Sequence, residues 1–187
     1  LKKVLKSISL YFKSEAKNKG LSFELEIPDD LPSLIESDEL AIKQVLDNLL
    51  SNALKFTKKG HIKMKGEVEF DKKESNKCTI SVQVEDTGLG ISVEKLDALF
   101  EPFAQVHEHG SIQERGSGLG LYISSKIIED LGGTLGVVSK IDKGSVFKME
   151  LPEITFLNEG GREENLAYTF FGDTILIADD YSINVKL

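Results

Sequence analysis

The chain has 187 residues, 40% of them hydrophobic and 29% charged, with a formal net charge of −8, a composition that belongs to globular chains and excludes a disordered one. The acidic balance, without any basic stripe, argues against a nucleic-acid partner, and no apolar run approaches the ~18 residues of a membrane span. A single cysteine, Cys78, excludes an internal disulfide framework and suits a reducing compartment. Heading an alternating strand pattern, it reads as a buried small hydrophobe and not as a reactive thiol. The chain begins without Met, shows no signal peptide and stops abruptly, so it reads as a piece of something longer.

Leu1, Val4, Leu5, Ile8 and Phe12 share one helical face within residues 1–19, and Gly20 is the expected stop. Leu21, Phe23, Leu25 and Ile27 alternate with polar residues as a half-buried strand, closed by the Pro28-Asp29-Asp30 turn. A second helix spans 37–57, with Ser37 and Asp38 as capping residues and Ile42, Leu46, Leu49, Leu50 and Ala53 as its apolar face. Asn48, Asn52 and Lys55 fall within roughly 60° of one another beside that face. Such a row is either the solvated edge of an ordinary amphipathic helix or a ligand-facing stripe, with amide oxygens for a hard cation and an ammonium for a phosphate.

Ile62, Met64, Val68 and Phe70 alternate, as do Cys78, Ile80, Val82 and Val84, which predicts an antiparallel hairpin around the polar tract 71–77. The period of two puts Asp86 on the inward face with Val82 and Val84, where a carboxylate needs a donor. Thr87-Gly88-Leu89-Gly90-Ile91 follows, either a plain tight turn or a place where a ligand approaches the backbone. Ser92 is expected to cap a short helix through Leu96 and Leu99, ended by Phe100-Glu101-Pro102-Phe103.

Residues 104–115 read as a mobile loop; the spacing of His107 and His109 hints at a metal, but no third ligand lies nearby. Next, Arg115-Gly116-Ser117-Gly118-Leu119-Gly120-Leu121 opens a helix whose Tyr122, Ile123, Ile127, Ile128 and Leu131 are expected to face a core, with Gly132-Gly133 ending it. Glycines leading into a helix N-terminus offer clustered N–H donors and the positive end of the dipole. Neither a Walker A nor a Rossmann pattern fits. Strands follow at 134–139 and 145–151, joined by the Asp142-Lys143-Gly144 turn.

In order and spacing, segments 38–57, 86–90, 100–103, 116–121 and 132–147 resemble the ATP-binding catalytic domain of sensor histidine kinases: its N, G1, F and G2 boxes and its last Gly-rich strand pair. The resemblance covers about residues 1–152. It implies a Bergerat-type ATP-binding fold, an α/β (α+β) two-layer sandwich with a mixed sheet and helices on one face, and it implies ATP and Mg2+ as cofactors. On that resemblance Asp86 accepts a hydrogen bond from the adenine amino group, Gly88 and Gly90 shape the adenine pocket, and Ser145 stands near the base. Asn52 supplies an oxygen to Mg2+, and Lys55 offsets triphosphate charge. Gly116, Gly118 and Gly120 bring backbone N–H groups to the phosphates, with Ser117, Leu119 and Leu121 in the same segment; Phe103 belongs to the F box. Arg115 is the candidate for a lid arginine on the γ-phosphate, in a tight register against Gly116.

Asn48 occupies the position where related ATPases of this fold carry a Glu base, and a neutral amide there predicts a domain that holds ATP for transfer and hydrolyses it poorly. The three histidines, His61, His107 and His109, lie in no phosphoacceptor context, so the acceptor hairpin is expected to be absent and the piece to be a monomer that does not phosphorylate itself. The expected partners are that dimerisation and phosphoacceptor hairpin and a receiver domain within a homodimeric parent, with no nucleic acid and no direct membrane contact, in the cytoplasm. Residues 153–172 read as a linker. From 173 to 187, Thr174-Ile175-Leu176-Ile177-Ala178 followed by Asp179 and Asp180 resembles the start of a response-regulator receiver domain, with the alternative of a strand docked on the catalytic domain. Fifteen residues cannot bury a core, so this tail is expected to be disordered or adventitiously packed. The rival readings are an ATPase or chaperone-like relative of the same fold and a degenerate module that binds partners and no nucleotide.

Overall fold

The computed structural model describes residues 1–104 and 117–157. The first apolar face forms α1 (Lys2–Asn18), which buries Val4, Leu5, Ile8, Phe12 and Ala16, and Gly20 stops the helix at φ +72°. The chain returns as β1 (Ser22–Glu26), makes a two-residue β2 (Leu34–Ile35) and enters α2 (Glu39–Phe56). Then come the hairpin β3 (His61–Phe70) and β4 (Lys77–Asp86), the single turn α3 (Val93–Leu96), α4 (Gly120–Asp130), and the hairpin β5 (Thr134–Lys140) and β6 (Gly144–Leu157).

The strands make one mixed sheet in the order β1-β3-β4-β6-β2, with β5 also paired to β6. Only β1 with β3 is parallel; the β3–β4, β4–β6, β5–β6 and β2–β6 pairs are antiparallel. The alternation read in the sequence decides which face is covered. Ile62, Met64, Cys78, Ile80, Val82, Val84, Phe147, Met149 and Leu151 point inward and are buried in one core with the apolar faces of α1 and α2. The opposite face carries paired charges, Lys63 of β3 with Glu26 of β1 at 2.6 Å and, along β6, Lys148 with Glu150 at 2.7 Å. Helices cover one face and ions the other. Cys78 is buried, and burial pushes its thiol up.

Four expectations change. The cap of α2 is Asp38, whose carboxylate accepts from the Ala41 N–H at 3.0 Å, while the buried Ser37 hydroxyl has no hydrogen-bond partner among the described residues. Ser92 precedes α3 without a side-chain cap bond. In α4, Ile123 is 41% exposed while Ser124 and Ser125 are buried, because α4 packs against α2 through small polar side chains there. Residues 153–157, expected as linker, are the end of β6. Ile154 and Phe156 there are buried, and Pro152 sits in the strand without breaking it. The rest of the linker and the receiver-like segment lie outside the described residues.

Candidate active site

The site is built where the C-terminal half of α2, the end of β4 and the start of α4 converge. Along α2 the core takes Ile42, Val45, Leu46, Leu49, Leu50, Ala53 and Leu54, which leaves Asn48, Asn52 and Lys55 half-buried in a row at its edge. Asn48 does not stand free in that row. Its Nδ2 donates to Ser124 Oγ at 2.9 Å, and a Cβ on Gly120 would collide with its Oδ1. The amide therefore joins α2 to the second turn of α4 while lying against Gly120 at a spacing only glycine allows. The Lys55 ammonium lies 4.9 Å from the centroid of the Phe56 ring.

Asp86 ends β4 on the inward face and is 7% exposed. Its Oδ1 accepts the Gly88 N–H at 2.7 Å. Burial pushes its carboxyl above the ordinary aspartate value; the backbone N–H groups of Gly88 and Ser145 and, less strongly, the Thr57 hydroxyl oppose that, and Glu85 adds a small upward push. Thr57 is buried at the end of α2, and its hydroxyl reaches no hydrogen-bond geometry with any described residue. The corner thus holds a buried carboxyl under the backbone N–H groups of Gly88 and Ser145, with the Thr57 hydroxyl beside it.

The loop after Asp86 is stitched on both sides. Leu89 N–H donates to the Phe56 carbonyl at 3.3 Å, and the Asp142 N–H to the Leu89 carbonyl at 2.8 Å. Ile91 N–H donates to Ser139 Oγ at 2.8 Å. Gly90 turns at φ +66° with its α-carbon against the Lys140 carbonyl, and Gly144 turns at φ +97° against the Asp86 carbonyl; neither place has room for a Cβ. Gly88 has an ordinary φ, yet a Cβ there would meet the Phe56 carbonyl and the Asp86 carboxylate. Ser145 is buried opposite Asp86 in the β4–β6 register.

The second glycine segment leads into α4. Gly118 turns at φ +72° against the backbone of Phe103 and Ala104, and Phe103 itself has φ +65° with its ring 70% exposed. Ser117 Oγ accepts the Leu119 N–H at 3.3 Å. Leu119 stands at the N-cap of α4 and gives its first-turn N–H groups no side-chain cap bond; Leu121 is half-buried. Arg115, Gly116, His107 and His109 lie outside the described residues. Sequence reading passed over Thr57, Ser124 and Ser139. The legible signal was position: Leu135, Val137 and Ser139 share a face of β5, and a serine ending an inward-facing row invites the question of its partner.

These residues fit a purine nucleotide. A buried acceptor lined by glycine backbones suits an exocyclic amine, and open helix-start N–H groups suit phosphate. Among the described residues no group of three or more His, Cys, Asp or Glu is placed to hold a metal ion. One carboxamide oxygen, from Asn52, fits a Mg2+ that keeps most of its ligands as waters and phosphate oxygens.

Known proteins agree with this geometry. Residues 37–155 match the family described as histidine kinase-, DNA gyrase B-, and HSP90-like ATPase, and the chain belongs to that family. It is 36% identical over 149 residues to the autoinducer 2 sensor kinase/phosphatase LuxQ of Vibrio vulnificus, covering 79% of this chain and 17% of LuxQ. It is 43% identical over 122 residues to the sensor protein GacS of Pseudomonas syringae, covering 65% of this chain and 13% of GacS. The chain therefore spans under a fifth of these relatives. Among solved structures, the catalytic domain of histidine kinase ThkA superposes with a TM-score of 0.63 at 31% identity, covering 82% of this chain and 92% of that one. Full-length ShkA in complex with AMPPNP gives 0.66 at 29% identity, covering 81% and 30%. The Bergerat fold and the match to histidine kinase catalytic domains follow, as implied by the sequence resemblance.

Proposed function

We propose that this domain binds ATP with Mg2+ and forms the catalytic part of a hybrid sensor histidine kinase, directing the γ-phosphoryl group to a histidine on a helical hairpin elsewhere in the parent protein. The observation that carries the reading is the Asp86 corner: a buried carboxylate, opened by glycines, that takes an amine and repels the carbonyl of guanine. Asp86 accepts a hydrogen bond from the base amine. Asn52 offers its amide oxygen to the metal, and the Lys55 ammonium offsets phosphate charge. Gly116, Gly118 and Gly120 free backbone N–H groups for the phosphates, with Ser117, Leu119 and Leu121 holding that segment's shape. Arg115 and Phe103 belong to the lid side, Gly88 and Gly90 to the base side, and Ser145 lies beside the base. When bound, ATP supplies the phosphoryl group and Mg2+ its charge neutralisation.

Hybrid relatives, among them hybrid signal transduction histidine kinase K of Dictyostelium discoideum, which is 32% identical over 200 residues and covers 100% of this chain and 16% of that protein, support a receiver domain in the parent. The proposal further takes Asp179 and Asp180 as the opening of that receiver domain, the parent as a homodimer and this domain as cytoplasmic. The test is calorimetric titration with ATP and with GTP, each with and without Mg2+. Micromolar, Mg2+-dependent binding of ATP over GTP is expected; a folded domain that binds neither overturns the reading.

A further inference from the structure

Ser139 has been given no role above, yet its hydroxyl makes three polar contacts near the candidate base pocket. It receives the Ile91 N–H at 2.8 Å. It lies 2.9 Å from the Gly144 carbonyl and 2.9 Å from Ser145 Oγ. A hydroxyl has one proton and two lone pairs. A carbonyl only accepts, so the Ser139 proton goes to Gly144 O. The Ile91 N–H occupies one Ser139 lone pair, and the other remains for a proton from Ser145. All three contacts are satisfied only when Ser145 is the donor to Ser139. Ser145 Oγ then has no proton left to offer the pocket and presents lone pairs alone. It does so directly across the β4–β6 ladder from Asp86.

Resting on the nucleotide reading above, we infer that Ser139 is a positioning and specificity-determining residue: it takes the Ser145 proton, making the base pocket acceptor-only, and pins Ile91 at the pocket's rim. Ser145 and the Asp86 carboxylate then both suit an exocyclic amine, and both disfavour a carbonyl oxygen at the same place. Without the Ser139 hydroxyl, Ser145 turns its proton into the pocket and a carbonyl becomes tolerable.

The probes are ATP and inosine triphosphate, which differ at the purine six-position by amine against carbonyl, titrated calorimetrically with Mg2+. In Ser139→Ala the affinity for ATP is expected to fall about five- to tenfold, the scale of one lost hydrogen bond, while that for inosine triphosphate changes less than twofold or improves. Ser139→Thr, which keeps a hydroxyl, should restore the wild-type ratio. Ser145→Ala, which leaves the Ile91 anchor in place, should narrow the same ratio, and the double variant should lose no more discrimination than the larger single loss. An unchanged ratio in folded Ser139→Ala overturns the inference and leaves the nucleotide reading standing. If Ser139→Ala does not fold, an unchanged ratio in Ser145→Ala overturns it. A folded wild-type domain that binds neither nucleotide overturns the nucleotide reading and the inference with it.

Discussion

The Asn48 amide donates to the Ser124 hydroxyl at 2.9 Å, from the middle of α2 to the second turn of α4. The helix that carries Asn52 and Lys55 is thus tied to α4, whose start is the proposed phosphate site. Asn48 engages a neutral partner, and its chemistry gives no base for activating water. In Ser124→Ala the half-buried amide loses its acceptor, and a loss of about 1 kcal/mol in stability is expected, read as the change in denaturant midpoint. Steady ATP turnover by the wild-type domain is expected to lie below ~1 s⁻¹; turnover at or above that rate would show that a base has been overlooked.

Asp86 gives a pH dependence of opposite sign for stability and for binding. Burial raises its folded-state pKa above the unfolded value. Between those two values the native state holds more protons than the unfolded one, so this group's contribution to stability falls as pH rises through the window and is flat above it. ATP binding needs the carboxylate, so affinity falls as pH drops through the same raised value. Asp86→Asn keeps an oxygen for the Gly88 N–H but brings an amide donor toward the base amine. ATP affinity is expected to drop about ten- to a hundredfold, and this component of the pH dependence should vanish from both the binding and the stability profiles.

Much of this was legible before any coordinates. Strict alternation in β3 and β4 put Asp86 on the inward face, and the apolar spacing in α2 placed Asn48, Asn52 and Lys55 at the edge of the core, where all three lie half-buried. Less legible was what depends on contacts between distant segments. Ile123 reads as core by type, yet it is exposed because α2 presses on α4 at Ser124, and no pattern within 120–131 encodes that neighbour. The strand expected over 145–151 stops before Pro152, yet β6 passes through it, since a proline is tolerated where no ladder bond needs its missing N–H. The two-residue β2 has no periodicity to read and exists only by pairing with Phe156 and Leu157.

The glycines of the β5–β6 hairpin separate conformational need from mere composition. Gly144 has φ +97° and lies against the Asp86 carbonyl, whereas Gly136 has an ordinary φ and open space where a Cβ would go. Gly144→Ala is expected to destabilise the domain by about 2–3 kcal/mol through strain and collision and to weaken ATP binding by displacing Asp86. Gly136→Ala should stay within about 1 kcal/mol of wild type. Thermal melts and ATP titrations of the two variants check the contrast, and equal effects would contradict the tight approach at Gly144.

The last stretch of β6 tests where the folded unit ends. Phe156 is 5% exposed and packs edge-on against Phe70 with ring centroids 5.3 Å apart. Its N–H donates to the Asn76 carbonyl at 2.9 Å, which ties the β3–β4 turn region to β6. Ile154, 7% exposed, pairs with Cys78 in the ladder and accepts its thiol hydrogen at 3.7 Å. Phe156→Ala is therefore expected to lose about 3 kcal/mol, the usual scale for emptying a buried aromatic site. Truncation after Pro152 removes both side chains and the β2 pairing and should destabilise by more than the point change, while truncation after Leu157 keeps them all. Urea midpoints rank the three. A truncation at Pro152 as stable as one at Leu157 would restore the earlier boundary and make residues 153–157 an appendage after all.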